Sequence, residues 1–237
     1  MNITYLPLDL SSFKSISSAA HQVTSESERL DILMNNAGIM AVPKGETEEG
    51  YEIQFGTNHM GHALLTKILI PTLQATAEEQ GADVRIINLT SEGHNFARAA
   101  GALLDKKQLD ASGAWGRYGY SKLANILFAR ELAKHYPNIT AVAVHPGVIA
   151  TDLYLPNAQN NFIMNIGLKI AGSLRGTVAT GALNQLWAAT AKKEDIINGS
   201  YYTPIGAQAG GSSLARNMKL ADDLWEYTEK ELAAKGF

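Results

Sequence analysis

The chain contains no cysteine, which excludes disulfides, thiolate nucleophiles and cysteine-based metal sites. It has no apolar run approaching the roughly 20 residues that a membrane-spanning helix needs. Its opening residues, MNITYLPLDL, carry neither a basic leader nor a long apolar stretch, so they do not read as a signal peptide. There is no basic excess either: 20 Lys and Arg face 23 Asp and Glu, a formal net charge of −3. Such a balance invites neither nucleic acid nor an anionic membrane. Finally, no glycine-rich phosphate loop precedes the motifs described below. What remains is an ordinary globular composition, 46% apolar and 18% charged over 237 residues. It predicts a single domain spanning 1–237, in a protein of the cytoplasm.

Apolar periodicity divides the chain into alternating strands and helices. Ile3 to Leu10 has the β-branched and aromatic residues of a strand, and Ser11 or Ser12 can cap a helix running to about Leu30. Asp31 to Met34 is a short strand ending at Asn35-Asn36-Ala37-Gly38. A long helix is expected over Tyr51 to Glu79, with Pro71 as a kink. Val84 to Leu89 reads as a strand, residues 93–115 as a polar excursion, and Tyr118 to His135 as a helix. Ile139 to Val144 is a buried strand before Pro146-Gly147. A helix over Thr177 to Ala191, a short strand at Ser200 to Pro204 and a helix over Ala221 to Ala234 complete the chain. This alternation predicts an α/β fold: a doubly wound, mostly parallel, Rossmann-like sheet with helices on both faces. Right-handed crossovers then bring Asp9, Asn36, Ser91 and Pro146-Gly147 to one carboxyl edge. The apolar segment 152–175, with Leu153, Leu155, Phe162, Ile163, Met164 and Ile166, reads as a substrate lid above that edge.

The most informative stretch is Tyr118-Gly119-Tyr120-Ser121-Lys122. It places a phenol and an ammonium one helical turn apart on the same face, with the Ser91 hydroxyl at a preceding strand end. A phenol titrates near pH ~10 and is a poor base until a cation stabilises its anion. A lysine in the next turn supplies that cation, making an acid/base pair for a proton on an alcohol oxygen. His59, His62 and His94 match no zinc spacing, so no metal is expected. Ser91 lacks the Gly-x-Ser-x-Gly elbow of an α/β hydrolase.

Five motifs stand in order: Asn35-Asn36-Ala37-Gly38, Asn58-His59-x-Gly61-His62, Asn88-x-x-Ser91, Tyr118-x-x-x-Lys122, and Pro146-Gly147-x-x-x-Thr151. Together they resemble the short-chain dehydrogenase/reductase family, in its retinol-dehydrogenase-like branch, over nearly the whole chain. The resemblance implies that Tyr118 is the catalytic acid/base, Ser91 binds the substrate oxygen, Lys122 tunes Tyr118 and holds the nicotinamide ribose, and Asn58 holds a proton-relay water. It implies Asp9 at the adenine, Asn36 at the adenine ribose, and Ile149 and Thr151 around the carboxamide and phosphates. The cofactor implied is NADP, with NAD as the alternative, and the substrate is a small apolar alcohol or carbonyl compound. The helices at 51–79 and 118–135 look like the pair through which members of the family form homo-oligomers, although their apolar faces are equally required by the sheet.

The chain departs from the family by lacking its N-terminal glycine-rich strand-helix-strand segment, and so reads as N-terminally truncated relative to it. In a sheet ordered 3-2-1-4-5-6-7, loss of two strands leaves a gap of about 15 Å. Residues 3–10 must then re-pair against 31–34 or peel away. Two readings follow. One is an oxidoreductase moving a hydride between NADP(H) or NAD(H) and an apolar alcohol or carbonyl. The other is a catalytically impaired dehydrogenase-like fold acting as a binding or assembly protein.

Overall fold

The computed structural model describes residues 3–149 and 177–237. The sheet is built from β1 (Ile32–Asn35), β2 (Arg85–Leu89), β3 (Thr140–Val144), β4 (Tyr201–Thr203) and β5 (Ala207–Ala209), in spatial order β1-β2-β3-β4-β5. The first four are parallel, aligned so that Leu33 lies beside Ile86 and Ile86 beside Ala141. β5 returns antiparallel to β4, pairing Tyr202 with Gln208. Every residue of β2 and β3 is buried, as a parallel strand covered on both faces must be.

Alternate side chains serve the two faces. Leu33, Ile86, Ala141, Ala143 and Tyr201 join the larger core, under α1 (Phe13–Glu26), α3 (Gly61–Ala77), α5 (Gly113–His135) and α7 (Met218–Ala234). Ile87, Leu89, Val142, Val144 and Tyr202 pack on the opposite face with Ala188, from α6 (Val178–Thr190). Two shorter helices, α2 (Ile53–Phe55) and α4 (Lys106–Ala111), precede α3 and α5 respectively. The chain is thus the mostly parallel Rossmann-like fold expected, with helices on both faces of the sheet.

Four local expectations need correction. Residues 3–9 form no strand: Ile3 is 83% and Tyr5 87% exposed. The segment has peeled away and pairs with no described strand, leaving the outer edge of β1 open; strand propensity is largely a matter of packing neighbours, which these residues lack. Helix α1 stops at Glu26, since Ser27 turns extended and Leu30 N–H bonds Thr76 Oγ1 at 2.9 Å. The long helix starts at Ile53 and contains a π-helical turn over Gly56–Met60, while α3 runs through Pro71. Inside the excursion 93–115 lie two 3₁₀ segments, Glu92–Phe96 and Ala100–Ala102, as well as α4, and α5 already begins at Gly113. The expected lid, 152–175, and Thr151 lie outside the described residues.

Candidate active site

The site forms where β2 ends against α5. Ser91 caps the 3₁₀ segment Glu92–Phe96, its Oγ accepting from Gly93 N–H at 3.0 Å. With that lone pair engaged, its hydroxyl hydrogen is available to another acceptor. The 3₁₀ segment lies flat on α5 at two glycines. A methyl group at position 93 would fall 2.7 Å from Tyr118 Cε1 and 3.4 Å from Ser91 Oγ, and one at 119 would fall 2.8 Å from Gly93 O. Any side chain there would push the loop off the helix, so this close approach is what sets the Tyr118 ring beside the serine turn.

Tyr118 is only 4% exposed, and packs with Met40, Ala41 and Ala114. Its ring meets Trp115 edge-on at 6.3 Å, and Trp115 meets Phe96 at 5.7 Å, so an aromatic shelf leads from the surface to the phenol. Lys122 is one turn on, with Nζ 5.8 Å from the Tyr118 ring centroid. The ammonium is buried and donates to Leu89 O at 3.2 Å, beside Asn125 Nδ2 on the same carbonyl at 2.8 Å. Burial alone lowers its pKa from 10.5 to about 8.

Asn58 sits in the π-helical turn, a feature that recurs at functional sites. It is fully buried, and its amide grips the chain after β1: Oδ1 accepts from Ile39 N at 2.8 Å and Nδ2 donates to Ile39 O at 2.9 Å. The second Nδ2 hydrogen goes to Ser121 Oγ at 2.9 Å. The side chain has no hydrogen left to donate. Its backbone carbonyl accepts from His62 Nδ1 at 3.0 Å, which fixes the His62 tautomer. Burial drives His62 down to about 4, so the ring is neutral at pH 7.

The remaining expected residues are less closely gathered. Asn36, at the end of β1, is exposed, and Ile149 is buried against Gly181 of α6. Asp9 is exposed, its carboxylate accepting from Ser11 N at 2.8 Å and Ser11 Oγ at 2.7 Å, which holds its pKa below the usual aspartate value. Tyr120 points elsewhere: its hydroxyl accepts from Ala99 N and Arg98 N, anchoring the excursion.

Sequence reasoning missed one strong feature. Glu52 and Arg117 form a buried ion pair, Nε to Oε1 2.9 Å, joining the start of α2 to the residue before Tyr118. The other Glu52 oxygen caps α2 through Gln54 N and Phe55 N, and Arg117 also donates to Val42 O. Burial raises the Glu52 pKa, opposed by those hydrogen bonds and by Arg117. Nothing local marks the pair, since its partners are far apart in sequence.

Residues 1–165 match the family model described as enoyl-(acyl carrier protein) reductase. A short-chain dehydrogenase/reductase of Aspergillus calidoustus, drtF, is 35% identical over 245 residues, 98% of this chain and 77% of the relative. The chain belongs to the short-chain dehydrogenase/reductase family. As a member it is an NAD(P)-dependent oxidoreductase. Retinol dehydrogenase 12 of Mus musculus is 36% identical over 220 residues, 92% of this chain and 66% of that one. Among solved structures, a protein of Mycobacterium paratuberculosis superposes with a TM-score of 0.68 at 28% identity, covering 94% of this chain and 73% of its own. No helix among the described residues is long and apolar enough to cross a membrane.

The described residues of this dehydrogenase fit one end of a nicotinamide dinucleotide. At Gly38 a methyl group would fall 2.9 Å from Asn58 Oδ1 and 3.3 Å from Lys122 Nζ, so only a bare backbone leaves room beside the ammonium. That cradle, with the buried Lys122 cation, suits the ribose nearest the nicotinamide. The other end is not assembled among the described residues. The first turn of α1 is occupied by Glu48 and Glu49, bonded to Ser12 Oγ and Phe13 N, so it offers no place to a phosphate.

Proposed function

We propose that the chain transfers a hydride between NADP(H), with NAD(H) as the alternative, and an apolar alcohol or carbonyl compound. The observation that carries this is Lys122, an ammonium buried one turn from Tyr118 with a backbone carbonyl as its hydrogen-bond acceptor. A cation held there favours the phenolate form of its neighbour and any negative charge arising on a substrate oxygen.

When bound, the nicotinamide supplies or accepts the hydride. The chain does the rest. In the reducing direction, negative charge gathers on the former carbonyl oxygen. Ser91 donates its remaining hydroxyl hydrogen to that oxygen, and Tyr118 delivers the proton. Lys122 stabilises the phenolate that remains. Asn58 acts as a positioning residue in this reading, stitching the Gly38-Ile39 backbone to α5 so that the cradle and the ammonium keep their spacing.

The apolar substrate is supported by the Phe96–Trp115–Tyr118 shelf and by Met40 and Ala41 beside the phenol. It is supported as well by the similarity to a retinol dehydrogenase, whose name specifies an apolar alcohol. The cytoplasm as its compartment rests on composition and belongs to the same proposal.

Titration of the purified chain with NADPH and NADH, followed by reduced-nicotinamide fluorescence, tests the reading. Saturable binding, with oxidation of the cofactor by aryl aldehydes or ketones in preference to polar sugars, is the expected result. A folded sample that binds neither cofactor overturns it, in favour of a non-catalytic binding or assembly role.

A further inference from the structure

The amino edge of the sheet, opposite the catalytic one, carries a second concentration of chemistry. Arg130 of α5 and Arg216, just before α7, line one cleft of about 460 Å³ with Ser200, Gln208, Gly210 and Met218. Among the described residues no acidic side chain lines it.

The two arginines lack what the buried guanidiniums of this protein have. Arg85 pairs with Asp83 at 2.5 Å and Arg117 with Glu52 at 2.9 Å. Arg130 Nε is buried without an acceptor, and Nη1 reaches only the Met218 thioether at 3.7 Å, a weak acceptor. Arg216 donates to the Gly211 carbonyl. Among the described residues no carboxylate pairs with either arginine. Burial, and then the charge of Arg216, lower the Arg130 pKa, with no opposing carboxylate. A half-buried guanidinium with a buried donor left unmet and a like charge beside it is costly unless an anion compensates it.

The neighbours are arranged for the same purpose. Gln208 Nε2 donates to Ser200 Oγ at 3.1 Å, which leaves the Ser200 hydroxyl hydrogen to an acceptor in the cleft. Two guanidiniums and a hydroxyl match the charge and the several oxygens of a phosphate group.

We propose that the Arg130–Arg216 cleft is a phosphate site, taking inorganic phosphate or the phosphate ester of a small molecule. It lies away from Ser91, Tyr118 and Lys122 and does not depend on the cofactor reading.

The test is calorimetric titration of the full chain with inorganic phosphate, phenyl phosphate and acetate, in chloride at about 0.15 M ionic strength. Saturable binding of a phosphate compound in preference to acetate is expected. Tighter binding of phenyl phosphate would identify an ester as the ligand, and tighter binding of inorganic phosphate the free ion. Removing one charge-assisted partner by Arg130→Gln or Arg216→Gln should weaken binding about tenfold or more. Arg216 is exposed, so its variant tests the site even if Arg130→Gln folds poorly. Lys122→Met should leave the affinity unchanged. The proposal is overturned if the wild type shows no saturable phosphate binding, if Arg216→Gln binds as well as wild type, or if affinity is lost in Lys122→Met instead.

Discussion

Two stretches with similar strand-forming character end in opposite states. Thr140–Val144 lies between β2 and β4 and is buried along its whole length. Ile3 to Leu8, also rich in β-branched and aromatic residues, lies outside the sheet with Ile3, Tyr5 and Leu8 exposed. Local preference is alike in the two; only the first has a ladder on either side. A strand is therefore made by its neighbours as much as by its residues. The same contrast divides the candidate site. The end built on β2, β3 and α5 is tightly held, with Ser91, Tyr118, Lys122 and Asn58 each fixed by packing or hydrogen bonds. Asp9 and Asn36, which the family resemblance alone sets at the adenine, are both exposed.

If this division is real, substitutions on the built side should have large effects. The largest is expected from Tyr118→Phe. Removing the phenolic proton should lower turnover by on the order of 10²- to 10⁴-fold. Steady-state kinetics with a carbonyl substrate would show this, while cofactor binding and thermal unfolding stay close to wild type. Next comes Glu52→Gln, which leaves the buried Arg117 guanidinium without its counter-charge. Breaking such a pair costs about 3–5 kcal/mol, to be read from urea unfolding. Turnover should fall in parallel wherever the start of α5 loosens. A variant as stable as wild type would show that the ion pair does not hold Tyr118 in place.

Lys122→Met probes the same region through pH. The folded pKa of Lys122, about 8, lies below the ordinary value of 10.5. Between those values the unfolded chain binds more protons, so stability rises with pH. The penalty of the buried charge is fully present below about pH 8 and is relieved as pH approaches 10.5. Relative to Lys122→Met, the wild type should gain up to about 3 kcal/mol between pH 7 and 10.5. Parallel unfolding curves at several pH values measure it, and a constant difference would mean that the ammonium carries no desolvation penalty. Carbonyl reduction by the wild type should decline as pH rises through about 8, when the cation is lost.

Much of this was legible in the sequence because it is local. Tyr118 and Lys122 share a helix face, so their pairing follows from a spacing of four. The runs Asp31–Met34, Val84–Leu89 and Ile139–Val144 are short, apolar and closed by Asn, Ser or Pro, which marks parallel strands. Asn58 stands out through its motif, and its side chain binds the Ile39 backbone, as a mid-helix Asn often does. Long-range features were not legible. The Glu52–Arg117 pair and the packing of Gly93 on Tyr118 join segments whose meeting depends on tertiary structure. β5, over Ala207–Ala209, has almost no strand signal of its own and exists because β4 offers it an edge. Residues 3–9 are the converse case, a good local pattern that pairs with no described strand.

That last case yields the smallest expected effect. Tyr5 is 87% exposed and forms no ladder, so Tyr5→Ser removes little buried surface and should change stability by within about 0.5 kcal/mol. An equivalent polar substitution in β3, Val142→Ser, removes an apolar side chain that is fully buried against the opposite core. It also places a hydroxyl there, at a cost of about 2–4 kcal/mol. The ratio of the two effects, from urea unfolding of both variants, measures how far the contrast between the segments holds in solution. A Tyr5→Ser variant as destabilised as Val142→Ser would mean that residues 3–8 pack against something after all.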